Sequence, residues 1–188
     1  MLYIALGVAG FVCFLLFDIL SMYGKVIGKY LFVLMGTGLI VFSTIRIIAD
    51  SSMIAVFSIT RIIGLFLAIL FALLLVYSVF IEVGLNTYKK VAEPGLVTNG
   101  TYSLVRHPGV VWLFLAYFFA SIYFQNNYLL LTAFIWTAVN TVYIIIQERF
   151  ILIKLFKEYD TYITSTPMII PNYSSLKKFI TIQNWRKE

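Results

Sequence analysis

The chain reads as an all-α, polytopic membrane helical bundle with five transmembrane helices. Of its 188 residues 62% are hydrophobic and only 12% are charged, and the apolar residues gather into long runs. A soluble domain of this length needs more charge to cover its surface, and mean hydropathy is +0.97. The runs are continuous, not alternating as transmembrane β-strands would be.

Crossing a hydrocarbon layer of ~30 Å takes roughly 20 helical residues. Five segments meet or approach that length: 2–20, 30–48, 62–83, 110–124 and 128–146. The first has no basic stretch before it and no small-residue cleavage site before Asp18 and Lys25, so it is expected to be retained as a span. The fourth is short and begins after Pro108, a residue suited to a first helical turn because its missing N–H would have no partner there. Gln125, Asn126 and Asn127 separate the last two spans, which predicts a tight antiparallel helical hairpin.

Basic residues accumulate on the cytoplasmic side of membrane proteins. With the N-terminus outside, only Arg46 and Arg61 of the 14 Lys and Arg residues fall outside. That orientation puts the C-terminus in the cytoplasm, with a bacterial cell membrane as the default location. The net charge of +6 then reflects topology and anionic headgroups, not nucleic acid. Cys13 and His107 are the only residues of their kinds, which argues against a disulfide or a metal centre.

The chain forms one membrane domain whose parts differ. Residues 1–83 are three apolar spans, residues 84–171 hold a polar connector, the hairpin and a helical continuation, and residues 172–188 form a tail. In the connector, Glu93-Pro94-Gly95 and Asn99-Gly100 are turn signals. After the fifth span, Leu152, Leu155 and Phe156 recur at helical spacing from Glu148, followed by Tyr159 and Tyr162. This predicts that the last helix continues to about Tyr162, lays that face on the bundle and stops before Pro167 and Pro171. Asp18 and Glu82, near span ends, are expected to reach the surface.

The string Leu96 to Pro108, ending in Arg106-His107-Pro108, resembles a signature of the isoprenylcysteine carboxyl methyltransferase family and its phospholipid methyltransferase relatives. A second signature of that family is similar to Glu148, Leu152, Phe156, Glu158, Tyr159, Tyr162, Pro167, Ile170 and Pro171. Glu148 is an acid of the motif whether the alignment is anchored on Leu152 or on Tyr159. The resemblance implies an integral membrane methyltransferase that uses S-adenosylmethionine, bound in a cytoplasmic pocket made by the connector, the last hairpin and the tail. It implies that Leu96 and Val97 contact the adenosine and that Tyr102 packs against it. His107, Pro108, Gly109 and Val110 would line the methionine end.

Two residues carry the expected chemistry. Glu148 would accept a proton from the acceptor or orient its headgroup; Arg106 would anchor a phosphate or carboxylate. No metal is expected. Ile144 stands where the eukaryotic members carry a substrate-handling arginine, so the expected acceptor is a small amphiphile or lipid headgroup, not a prenylcysteine carboxylate. Val110 and Trp112 replace a tyrosine and a glycine of the family, and Glu148 lacks an adjacent acid. Two other readings compete: an NADPH-dependent membrane reductase of the sterol and steroid type, similar in its C-terminal helices, and a non-catalytic, degenerate member serving as a scaffold.

Overall fold

A computed structural model describes residues 1–23, 28–51, 58–83 and 95–184. Every regular element among them is helical. Helices α1 (Leu2–Met22), α2 (Lys29–Ala49) and α3 (Ile59–Val76) come first, and α3 runs on into a π-helical stretch, Tyr77–Glu82. A 3-10 turn at Gly100–Ser103 leads to α4 (Pro108–Phe124) and α5 (Asn127–Gln147). The π-helical segment Glu148–Leu152 and one α turn, Ile153–Leu155, extend α5. Two short helices close the chain, α6 (Tyr159–Ser165) and α7 (Tyr173–Asn184). The expected turn at Glu93 and Pro94, and the cations Lys25, Lys89, Lys90, Arg186 and Lys187, lie outside the described residues.

Among the described residues four helices are long and apolar enough to cross a membrane: Leu2–Met22, Lys29–Ala49, Ile59–Glu82 and Asn127–Leu155. The expected fourth span, α4, has 17 residues. At 1.5 Å per residue it reaches only ~25 Å, the lower limit for a crossing. Much of the apolar surface of the longer helices is exposed, as with Leu34 at 69% and Phe66 at 66%. Such area has no place in water, and a bilayer would cover it.

The core lies where α1, α2, α4 and α5 meet, around Trp136, which is fully buried among Ile4, Phe11 and Leu113. Its indole N–H donates to the Ile4 carbonyl at 2.9 Å, and a Cβ at Gly7 would lie only 1.9 Å from the ring. Gly10 and Gly36 let α1 and α2 approach closely: a Cβ on either would sit 2.8 Å from the other's carbonyl oxygen. Small residues at such crossings replace the hydrophobic driving force that apolar lipid removes.

The hairpin follows the sequence expectation. Gln125 ends α4 in the left-handed region with φ 49°, and the Asn126 side chain caps α5 by accepting from the Tyr128 N–H at 2.7 Å. Its amide also donates to the Ile47 carbonyl at 2.9 Å and the Ser51 hydroxyl at 2.6 Å, pinning the hairpin to α2. Loss of a cap costs about 1 kcal/mol, and carbonyl and hydroxyl groups left without their donor add to it. Asn126→Ala is therefore expected to cost about 2 kcal/mol, read as a lower melting midpoint in detergent; an unchanged midpoint would show that the cap carries no weight.

The continuation of α5 departs from expectation. Tyr159 and Tyr162 are buried as expected, but on the continuation itself Ile151 is buried while Leu155 is 51% exposed, and the helix breaks at Phe156 in extended geometry. Each π-helical turn holds about one residue more than an α turn, so the Glu148–Leu152 segment rotates the following side chains away from a 3.6-residue pattern. Tyr162 belongs to the separate helix α6.

Candidate functional site

At the end of the bundle where α3 and α5 turn π-helical, two carboxylates hold the last part of the connector. The first is Glu148, on α5's extension and only 8% exposed. Its Oε1 accepts from Arg106 Nε at 2.8 Å and from the Tyr159 hydroxyl at 3.0 Å, and lies 2.8 Å from His107 Nε2. Its Oε2 accepts from Arg106 Nη2 at 3.1 Å. Each carboxylate oxygen has two lone pairs, so Oε1 is crowded by three partners while Oε2 keeps one acceptor position among the described residues.

Arg106 is equally committed. Besides the fork onto Glu148, its Nη1 donates to the carbonyls of Ile163 at 3.0 Å and Thr166 at 2.9 Å. A guanidinium has five N–H donors, so one remains. The backbone continues the attachment: the Arg106 N–H donates to the Pro167 carbonyl at 2.8 Å and the His107 N–H to that of Met168 at 3.1 Å. The two sequence signatures thus meet across 42 residues of chain.

An ionised Glu148 can only accept, so its contact with His107 Nε2 requires the proton on that nitrogen. In the neutral imidazole the lone pair then lies on His107 Nδ1, which makes no hydrogen bond among the described residues. The side chain is 11% exposed and sits at the start of α4, whose positive dipole end faces the same region.

The second carboxylate is Glu82, at the last position of the π-helical stretch after α3 and 6% exposed. Its Oε1 accepts from the Thr101 backbone N–H at 2.9 Å, and its Oε2 accepts from the Thr101 hydroxyl. Gly100 permits the turn with φ +61°, and a Cβ there would lie 1.6 Å from Glu82 Oε1. The Asn99-Gly100 turn signal is thus realised, but Glu82 does not reach the surface. An acid at a span end normally snorkels, so its position alone does not reveal this role. The one signal in the sequence was the pairing of a span-ending acid with a Gly-Thr turn after it.

Tyrosines tie the remaining pieces together. The Tyr162 hydroxyl donates to the Tyr102 carbonyl at 2.6 Å, and the Tyr102 hydroxyl to that of Ser78 at 3.3 Å. Burial pushes the Tyr102, Tyr159 and Tyr162 phenols up, and for Tyr159 the adjacent Glu148 carboxylate adds to it. All three keep their protons as donors at neutral pH.

Other expected residues are placed as follows. Leu96 and Val97 lie in an irregular stretch and are half-buried, which leaves each an apolar face. Gly109, in the first turn of α4, packs against the π-helical stretch that follows α3, where a Cβ would lie 3.0 Å from Val79. Pro108 and Val110 are sealed in the interior, Val110 at 2% exposure. The Trp112 ring stacks on Phe71 at 5.9 Å between centroids. Asp18, expected at the surface, is half-buried and accepts from the Tyr143 hydroxyl at 2.5 Å and from Gln147 Nε2 at 2.8 Å. A cavity of about 290 Å³ lies at the opposite end of the bundle, between Tyr3, Ile47, Asp50 and Tyr128. Among the described residues no group of His, Cys, Asp and Glu could hold a metal ion.

Set against family models, curated proteins and solved structures, the chain matches none.

Proposed function

We propose that the protein is an integral membrane methyltransferase that uses S-adenosylmethionine and acts on a small amphiphile or a lipid headgroup at the cytoplasmic leaflet. The observation that carries this reading is the junction of Arg106, His107, Glu148 and Tyr159. Two segments that resemble the two signatures of one family converge on one carboxylate, with bonds of 2.8–3.1 Å.

Pro108 and Val110, expected to line such a cofactor, are sealed in the interior, whereas Leu96, Val97 and Gly109 are partly open and fit it. Leu96 and Val97 offer partly open apolar faces for an adenine ring, and the first turn of α4 offers a positive dipole end for a carboxylate. When bound, the cofactor supplies a methyl group activated by the sulfonium charge. The protein's share is placement in a site free of bulk water. Glu148 is held by Arg106, His107 and Tyr159, so its role is to hold His107 in one tautomer and neutralise Arg106. Nδ1 of the neutral His107 would then be the basic atom that takes the acceptor's proton as the new bond to the methyl carbon forms, while the methyl carbon's bond to sulfur would break with its electron pair leaving on the sulfur. Arg106 positions the connector against α6, with one N–H left for an anionic group on the acceptor.

His107→Ala is expected to lower methyl transfer by about 10²–10⁴-fold, the range of a general base, while the Arg106 to Glu148 pair keeps the fold. The assay is mass spectrometry of a lipid extract incubated with purified protein and a deuterated methyl donor, alongside binding of labelled S-adenosylmethionine and NADPH. Saturable binding of NADPH alone would transfer the reading to the reductases; binding of neither would leave a scaffold. Full turnover by His107→Ala would remove the base assignment.

A further inference from the structure

The C-terminal helix α7 carries an apolar stripe that faces away from the protein. It begins cleanly: the Asn172 side chain accepts from the Ser175 N–H at 2.8 Å, and the Ser175 hydroxyl accepts from the Asn172 N–H at 3.1 Å. Ser175, 1% exposed, marks the inner face, and the helix packs on the Gly100–Ser103 turn. Tyr173, Leu176 and Ile180, at i, i+3 and i+7, share the other face and are 82%, 44% and 60% exposed. Ile170, just before the helix, is 80% exposed. Lys177, one turn from Tyr173, flanks the stripe, and Lys178 follows it.

We infer that α7 lies in the headgroup region of the protein's own bilayer, with Tyr173, Leu176 and Ile180 inserted among the lipids and Lys177 at the phosphates. An apolar stripe flanked by lysines and low in net hydrophobicity is the pattern of an interfacial helix. The tail is also held at the right level. The Arg106 and His107 N–H groups bind it through the Pro167 and Met168 carbonyls beside the first turn of α4, where the apolar helices end. A second copy of the chain is a poorer occupant, since three side chains fall far short of the ~800 Å² per partner that a stable interface buries. Because α7 rests on the turn gripped by Glu82, its seat on the bilayer also braces the connector from outside.

The test uses the full chain with Cys13→Ala, a nitroxide on Leu176→Cys, Ile180→Cys or Ser174→Cys, and bilayer discs of phosphatidylcholine with phosphatidylglycerol. Collision rates with oxygen and with a water-soluble nickel chelate report immersion, and they do not depend on any methyl transfer. The labels at 176 and 180 are expected to collide with oxygen several-fold more than with nickel, and the label at 174 to show the reverse. Nickel access at 176 and 180 equal to that at 174 would overturn the inference. So would strong spin–spin coupling between copies labelled at 176, which would give the stripe to a second chain. All three positions are exposed, so the labels leave the fold intact.

Discussion

Arg106→Met is expected to destabilise the protein by about 3–5 kcal/mol, because it leaves a buried carboxylate without its counter-charge. Glu148 would lose two bonds from the guanidinium, and the carbonyls of Ile163 and Thr166 would lose their donor. For a chain of this length such a loss lowers the melting midpoint by on the order of 10 °C. Arg106→Lys is expected to recover little, since an ammonium is a point charge and cannot form the fork or reach both carbonyls at once. The double variant Arg106→Met, Glu148→Leu removes both charges together and is expected to regain much of the stability while remaining inactive. Thermal unfolding of the two single variants and the double variant forms a cycle with an expected coupling of about 2 kcal/mol or more. Additive losses would mean that the pair does not hold the tail to the connector.

The second large effect is expected at Gly100. Alanine there must adopt a left-handed conformation, which costs ~1–2 kcal/mol, and its Cβ would fall 1.6 Å from Glu82 Oε1. The carboxylate cannot stay, so the turn loses two hydrogen bonds from Thr101 to a charged acceptor, each worth about 1.5–3 kcal/mol. Together these amount to about 4–8 kcal/mol, enough to open the turn. Amide hydrogen exchange is the direct readout: residues 100–105 should lose protection in Gly100→Ala while α5 keeps its own. Glu82→Gln, which retains one acceptor oxygen, should show a smaller loss. Equal protection in Gly100→Ala and the parent chain would mean that Glu82 does not clamp the connector. A turn opened in this way also removes the packing surface of α7.

The helices of the membrane part were legible because a continuous apolar run declares its fate locally, whatever it packs against. The α4 to α5 hairpin was legible for a related reason: Asn126 both ends one helix and caps the next through atoms within three residues of itself. Arg106, His107 and Glu148 were also found, since polar side chains at the edge of apolar helices are few. Their mutual arrangement was not. Whether Glu148 faces a substrate or is held by Arg106, His107 and Tyr159 depends on segments 11 to 42 residues apart folding onto one another. The same limit explains Glu82: the acid and its turn are 19 residues apart, and only their meeting distinguishes a clamp from a surface charge. It also explains the end of α5, where a 3.6-residue pattern in the side chains hid a π-helical segment whose extra residue per turn changes which side is buried. Local chemistry therefore dictated the spans, their hairpin and the identity of the polar residues. Long-range packing alone determined their pairing, because the hydrogen bonds that hold a carboxylate come from wherever the chain returns, and no local pattern records that return.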